Sequence, residues 1–393
     1  MVLRLVRGRV GSCQLSFSLF ILLFYPPPLF SFAGGFVVCY QISLYAIIFF
    51  MAAIRFYKPA LFRKDMDAVL QTMVDEKIGP GERRKEFERS MAIYLKKKYS
   101  FALRSYIDAI RISISSLNLA PESVIALSVL TPRVYVDVLK SLEYKYVLVD
   151  TDEDFMPSFA AISERSSEID AVIVFEPVCQ VLRNIDEFKS LNIPIIEDVS
   201  ASLGSEYSSL SAGVVGNIVI CATEENGIVS TGGGAVVLSD DEQISERIKK
   251  AIYVYSHYIE IPDMNAALGI VQLSKIETIL QRRSNIYRTF QQAVMKSSAK
   301  IFGSSNMVDF VSNGFGFSVI VNNKPDDTIA FAQKYQVSAK KTFSDAIGSR
   351  YQDRFDLYPN AIAPLTRAIS FPIYPFLSSV DIETIQKVLG HLH

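Results

Sequence analysis

Histidine and cysteine are scarce in this chain. His257, His391 and His393 are the only histidines among 393 residues, and Cys13, Cys39, Cys179 and Cys221 are scattered without metal-ligand spacing. That pattern argues against a Cys/His zinc site, so no metal is expected, and no disulfide scaffold is indicated. A reducing compartment fits. An excess of charge of one sign is also missing: the formal net charge is −1, so neither nucleic acid nor an acidic surface is favoured as a partner. Lysine is absent from one long internal stretch. None stands between Lys189 and Lys249, which denies that stretch an amine nucleophile.

Charge of either sign is missing near the start. Arg4, Arg7 and Arg9 lead, and no charged residue follows until Arg55. Leu29 to Ile54 is long enough to span a bilayer, and Pro26-Pro27-Pro28 separates it from a shorter apolar run, Gln14 to Tyr25. A helical hairpin with basic residues at both cytoplasmic ends would satisfy the positive-inside rule. A signal peptide fits less well, because the apolar run is long and lacks a clean small-residue cleavage site. The other reading is a mis-set start: Met51 precedes the first segment that reads as soluble protein, and translated T-rich DNA gives such a composition. The expected location is cytoplasmic, or membrane-anchored facing the cytoplasm if residues 1–50 are made.

What is present suits a globular enzyme-sized fold. Half the residues are hydrophobic (50%) and 21% are charged, enough for one large domain with a sizeable core and a smaller one. Apolar spacing predicts helices over Lys64 to Glu76, Glu82 to Lys98 and Ser105 to Leu117, with Ile78 to Gly81 as a breaker. Short β-rich runs then alternate with crossover helices: Ser123–Leu127, Lys145–Asp150, Ala171–Phe175, Ile193–Glu197 and Asn217–Cys221. Most are apolar on both faces, as parallel strands covered by helices are. The βαβ rhythm predicts an α/β fold with a large doubly wound, mostly parallel sheet. Asn265 to Met295 reads as one extended helix leading into a second, small α+β domain. The expected division is a leader over 1–50, a large domain over 51–295 and a small C-terminal domain over 296–393.

Six blocks in order resemble the DegT/DnrJ/StrS family of pyridoxal phosphate (PLP)-dependent sugar-nucleotide aminotransferases. They are FYKPAL, IGPGERRKEFERSMAIYL, IPIIEDVSASLG, TGGGAVVLSDDEQISERIKK, DMNAALGIVQLSKIETILQRR and SFPIYPFLSSVDIETIQKVL. The resemblance covers nearly the whole chain from about Arg55. It implies the type I PLP-transferase fold, usually a homodimer with shared sites, acting on a nucleotide sugar in cell-surface polysaccharide or amino-sugar biosynthesis.

The resemblance also implies site residues. Asp198 matches the carboxylate that pairs with the cofactor's pyridine nitrogen and makes the ring an electron sink; capping of the next helix is the alternative role for such a residue. The family's Ser-Gly-Thr phosphate cradle falls on Ser105, Tyr106 and Ile107, where a tyrosine blocks close backbone approach and an isoleucine removes a hydroxyl. A family serine falls on Ala222, a Gln or His beside the cofactor ring on Ala201, and the asparagine supplied across the dimer near Pro262. The Schiff-base lysine aligns with Glu225, with Glu224 and Asn226 as neighbouring candidates, and none is an amine. A carboxylate cannot form an imine and would repel a phosphorylated cofactor.

Three functional readings follow. The first is a non-catalytic relative that binds PLP weakly or not at all, as a homodimer or paired with an active paralogue. The second is a non-covalent PLP or pyridoxamine phosphate enzyme with Glu225 as base. The third is a residual aminotransferase drawing a lysine from elsewhere, with Lys340 or Lys341 the nearest guess. Elsewhere, Gly232-Gly233-Gly234 reads as a turn, since it lacks the Lys-Ser/Thr of a phosphate loop. Lys340-Lys341 reads as a solvated pair and Cys179 and Cys221 as buried structural thiols. His257 has no visible acidic or nucleophilic partner.

Overall fold

The computed structural model describes residues 54–303 and 309–392. The apolar leader, Cys13, Cys39 and His393 therefore lie outside the described residues. Among the described residues no helix is long and apolar enough to cross a membrane.

Among the described residues two helices come first, α1 (Arg63–Val74) and α2 (Glu82–Tyr94). Then β1 (Tyr99–Leu103), α3 (Tyr106–Ser116), β2 (Val124–Ser128), α4 (Val134–Ser141), β3 (Lys145–Val149), α5 (Phe159–Ser163), β4 (Ala171–Phe175), α6 (Ile185–Ser190) and β5 (Ile195–Asp198) alternate. A short hairpin, β6 (Glu206–Tyr207) and β7 (Leu210–Ser211), precedes β8 (Ile218–Ala222), β9 (Ala235–Ser239) and α7 (Glu242–Tyr255).

All of these strands except β6 and β7 form one seven-stranded sheet in the order β1-β9-β8-β5-β4-β2-β3. The pairs β2–β3, β2–β4, β4–β5 and β5–β8 are parallel, while β9 runs antiparallel to both β8 and β1. Only β9 is reversed. Alternation along each strand splits the core in two, because successive side chains point to opposite faces. On one face Ile125, Ile173, Ile196, Ile218 and Ile220 pack with Ile110 and Ile114 of α3, Tyr135 and Leu139 of α4 and Ile248 of α7. On the other, Val219, Cys221, Val236 and Leu238 meet Phe87 and Met91 of α2, and Val172 and Val174 meet Phe188 of α6. Burial of a large aliphatic side chain contributes about 1.5–3 kcal/mol, so this two-faced covering explains why the strands read as apolar on both sides.

The long helix expected from Asn265 to Met295 is two helices, α8 (Asp263–Ser274) and α9 (Ile276–Val294). The break is at Lys275, which takes φ −113° and ψ 9° and donates its N–H to the Gln272 carbonyl three residues back. Its ammonium sits 3.7 Å from the buried Asp65 Oδ1 and 4.2 Å from the Phe62 ring centroid. The sequence period did not register this, because the apolar stripe carries on across the bend. Asp263, the first residue of α8, accepts from the N–H groups of Gly81 and Arg84 at 2.8 Å each and of Arg83 at 3.2 Å. One side chain thus caps α2 from nearly 180 residues away and ties the starts of two helices together.

A second, antiparallel sheet follows α9: β10 (Lys300–Ile301), β12 (Phe317–Ile320), β13 (Lys340–Lys341) and β14 (Ala368–Phe371), in the order β10-β12-β14-β13. The intervening β11 (Phe310–Val311) joins the β6–β7 hairpin instead. With α10 (Pro325–Lys334), α11 (Ile362–Arg367) and α12 (Ser379–Leu389), this region builds its own core. Phe317, Val319, Ile369 and Phe371 pack against Tyr287 and Phe290 of α9 and Ile385 and Leu389 of α12.

Candidate active site

The site forms where the carboxyl ends of β5 and β8 meet the start of α3, the usual place for ligands on an open α/β sheet. Asp198 is the last residue of β5 and is fully buried. Its Oδ1 accepts from the Ser200 N–H at 2.9 Å and the Ser200 hydroxyl at 2.5 Å. Its Oδ2 accepts from the Tyr135 hydroxyl at 2.7 Å and from the Tyr106 hydroxyl. Ser200 Oγ in turn accepts from the Ala222 N–H at 2.8 Å, which links the ends of β5 and β8.

A buried carboxylate needs such partners, since an uncompensated charge in the interior is strongly unfavourable. Burial raises the Asp198 carboxyl above its usual range, while the donors from Ser200, Tyr106 and Tyr135 pull it back. The two phenols are pushed well above their usual value, first by burial and then by the Asp198 charge. They stay protonated and donate. Their rings meet edge to face with centroids 6.1 Å apart.

Tyr106 is the first residue of α3, and its side chain runs from the helix start to Asp198. Ser105 is the N-cap: its Oγ accepts from the Asp108 N–H at 3.1 Å and donates to Asp108 Oδ2 at 2.8 Å. Asp108 also pairs with Arg111 at 3.0 Å. A carboxylate therefore already lies at the positive end of this helix. Ile107 is exposed.

The loop carrying the aligned lysine position connects β8 to β9. It is closed by Thr223 N–H to Gly234 O at 2.8 Å, Thr231 N–H to Thr223 O at 2.9 Å and Gly227 N–H to Glu224 O at 2.9 Å. Glu225 and Asn226 are exposed at its tip, and Glu224 is half-buried. The Glu225 charge is felt by Tyr57, whose phenol burial raises to about 12. Gly232, Gly233 and Gly234 all have positive φ and form the turn into β9. A Cβ on Gly234 would stand 2.7 Å from the Leu103 carbonyl. Ala201 is buried just beyond Asp198, and its carbonyl accepts from Cys179 N–H and Asn313 Nδ2. Pro262 is the N-cap position of α8.

Structure thus brings together Asp198, Tyr106 and the Ala222 backbone, with Ser105 opening the same helix. It leaves Glu225 on an exposed loop. The lysines considered from sequence are engaged elsewhere: Lys249 with Glu246, Lys341 with Asp326, and Lys340 over the Phe56 ring. His257 is exposed in a turn after α7, and Cys179 and Cys221 are buried free thiols. Among the described residues no group of three His, Cys, Asp or Glu side chains could hold a metal ion.

Three participants were not found from sequence. Tyr135 looks like one more apolar residue on the buried face of α4. Asp108 looks like an ordinary first-turn acid. Ser200 was the accessible one, because an Asp-x-Ser turn signals a hydroxyl returning to its carboxylate.

A large, mostly parallel sheet bearing a buried carboxylate at a strand end, followed by a long helix and a small antiparallel sheet, defines the type I PLP-transferase fold. The chain belongs to the DegT/DnrJ/EryC1/StrS aminotransferase family, whose model matches residues 60–390. It is 21% identical over 366 residues to the spore coat polysaccharide biosynthesis protein SpsC of Bacillus subtilis, covering 83% of this chain and 94% of SpsC. Over 260 residues it is 25% identical to a Campylobacter jejuni UDP-4-amino-4,6-dideoxy-N-acetyl-beta-L-altrosamine transaminase, covering 60% and 68% of the two chains. The PLP form of the putative sugar aminotransferase Spr1654 from Streptococcus pneumoniae superposes with a TM-score of 0.78 at 18% identity, covering 86% of this chain and 98% of that one.

Proposed function

We propose that this chain is a sugar-nucleotide-aminotransferase-like protein of polysaccharide or amino-sugar biosynthesis that has given up transamination. The observation that carries this reading is the Asp198 cluster. In the family's chemistry that carboxylate serves the cofactor's ring nitrogen; here both its oxygens are engaged by Tyr106, Tyr135 and Ser200.

In this reading the residues present do not fit pyridoxal phosphate. A phenol stands at the helix start where a phosphate needs close backbone approach. The Asp108 N–H of that first turn is already taken by Ser105 Oγ at 3.1 Å. No lysine lies between Lys189 and Lys249 to anchor the group. Glu225, exposed on its loop, is poorly placed as a shielded base. The chain then works through its fold, as a homodimer or as the partner of an active paralogue in the cytoplasm. The exposed apolar stripe Met66, Leu70 and Met73 of α1 supports such an interface.

The test is titration of the purified chain with pyridoxal phosphate and pyridoxamine phosphate, by calorimetry and absorbance, followed by borohydride. Absence of binding is expected. A borohydride-reducible imine would overturn the reading, and tight binding without one would move it to a non-covalent enzyme.

A further inference from the structure

A cavity of about 520 Å³ lies between α2, β1 and α7, apart from the Asp198 cluster and independent of how that cluster is read. The register of β1 decides which backbone groups face it. Ala102 donates its N–H to Glu88 Oε1 at 2.9 Å and accepts from Ile261 N–H at 3.1 Å, so its backbone turns away from β9. The Lys98 N–H just ahead of the strand goes instead to Asp240 Oδ1, next after β9, at 2.9 Å. Backbone direction repeats every second residue along a strand. Two residues before Ala102, the Ser100 N–H and carbonyl therefore also point outward, and Ser100 lines the cavity.

Donors outnumber acceptors here. The Ser100 hydroxyl is buried without a hydrogen-bond partner, and so is Nε of Arg84 on the opposite wall. Glu88 and Glu260, the two carboxylates of the lining, are both occupied by Arg84, at 2.7 and 3.2 Å. Arg89 and Lys98 stand exposed among the lining residues. The remaining walls are mostly apolar, with Tyr99, Phe101, Ile252 and Tyr253, and Lys249 adds a third cation 5.6 Å from the Tyr99 ring centroid. Unmatched buried donors call for an acceptor, and a cationic rim on apolar walls of this volume suits a small organic ligand.

We propose that this cavity binds a small molecule made of an anionic group on a flat apolar body. The oxyanion, carboxylate or phosphate, takes the Ser100 N–H and hydroxyl together with Arg89 and Lys98. The body lies between Tyr99 and Tyr253.

The probes are naphthyl phosphate, naphthoate, neutral naphthol and inorganic phosphate, titrated into the full chain. Naphthyl fluorescence reads the first three in a protein without tryptophan, and calorimetry reads the fourth. At least one naphthyl anion is expected to bind, with naphthol weaker by roughly tenfold or more, the loss expected with the charge-assisted hydrogen bonds. Added salt and the pair Arg89→Glu/Lys98→Glu should each weaken binding, and Ser100→Ala should do so without changing the unfolding midpoint by much. Naphthol binding as tightly as the anions would overturn the proposal. So would binding of inorganic phosphate alone, no binding at all, or affinity that survives the charge reversal. Sedimentation of the same charge-reversed chain guards the remaining case: a changed assembly mass would make this face a contact between copies and overturn the ligand site.

Discussion

Tyr135→Phe tests whether the Asp198 cluster is held as a charged, internally satisfied network. Tyr135 is completely buried, and its hydroxyl lies 2.7 Å from Asp198 Oδ2. Phenylalanine keeps the ring and its packing, so the cavity contribution is small. What goes is one of the two hydroxyl donors to that oxygen. A hydrogen bond to a charged group contributes about 1.5–3 kcal/mol, and a neutral one about 1 kcal/mol. The variant should therefore lose about 2 kcal/mol near neutral pH and about half that once Asp198 is protonated.

The direction with pH follows from the raised Asp198 carboxyl. A folded-state pKa above the unfolded 3.8 means that the native chain holds a proton the unfolded chain releases. Stability from that source is complete below the unfolded value and falls as pH rises through the folded one. Losing a donor raises the folded value further, so the variant keeps falling where the wild type has levelled off. Urea unfolding of both chains at acidic and neutral pH should show the stability gap widening with pH. A gap that is constant, that narrows, or that stays below about 0.5 kcal/mol would refute a charge-dependent role for this hydrogen bond.

Other outcomes follow from the same geometry. Glu176 is buried, accepts from Leu182 N–H and the Ser202 hydroxyl, and is raised well above its usual range by burial and by Glu197. Glu176→Gln mimics its protonated form, so its stability relative to wild type should improve as pH rises above the usual glutamate value, measured by thermal unfolding across pH; a flat difference would argue against protonation. Asp263→Ala strips three backbone caps from the start of α2 and should cost about 2–3 kcal/mol in urea unfolding, with Asp263→Asn recovering part of it. Tyr106→Gly should gain measurable pyridoxal phosphate binding by calorimetry, whereas Tyr106→Phe, which frees an oxygen but keeps the ring, should not; identical behaviour would remove the steric argument. Cys179 and Cys221 are buried with thiols raised by burial, so peptide mapping after alkylation should label them only once the chain is unfolded.

The large sheet was legible because its strands obey one local rule. Segments such as AVIVF and IVICA are apolar on both faces, and each precedes a turn or loop. The helix α3 was legible for a similar reason, since apolar spacing over Ser105 to Leu117 is a local signal. The failures are long-range contacts and very short elements. Nothing near Tyr135 says that its hydroxyl will meet Asp198, 63 residues on. Nothing near Lys275 says that Asp65 and Phe62 will receive its ammonium. Two-residue strands such as β6, β7 and β13 carry too few residues to show a period at all. At the site, the sequence marked Asp198 and Tyr106 separately, but not that the Tyr106 hydroxyl would donate to the Asp198 carboxylate 92 residues on.

The reversed strand β9 has a consequence for how the chain is made. β1 leaves the ribosome early, yet its partner in the sheet spans Ala235–Ser239, and the cap that fixes α2 is Asp263. Until well over half the protein has been synthesised, β1 has an open edge and α2 lacks Val236 and Leu238, part of the face it covers. Closing such a loop is entropically slow. Nascent chains arrested shortly before β9 should therefore be the form most dependent on chaperones, and those arrested after α8 the first to resist protease.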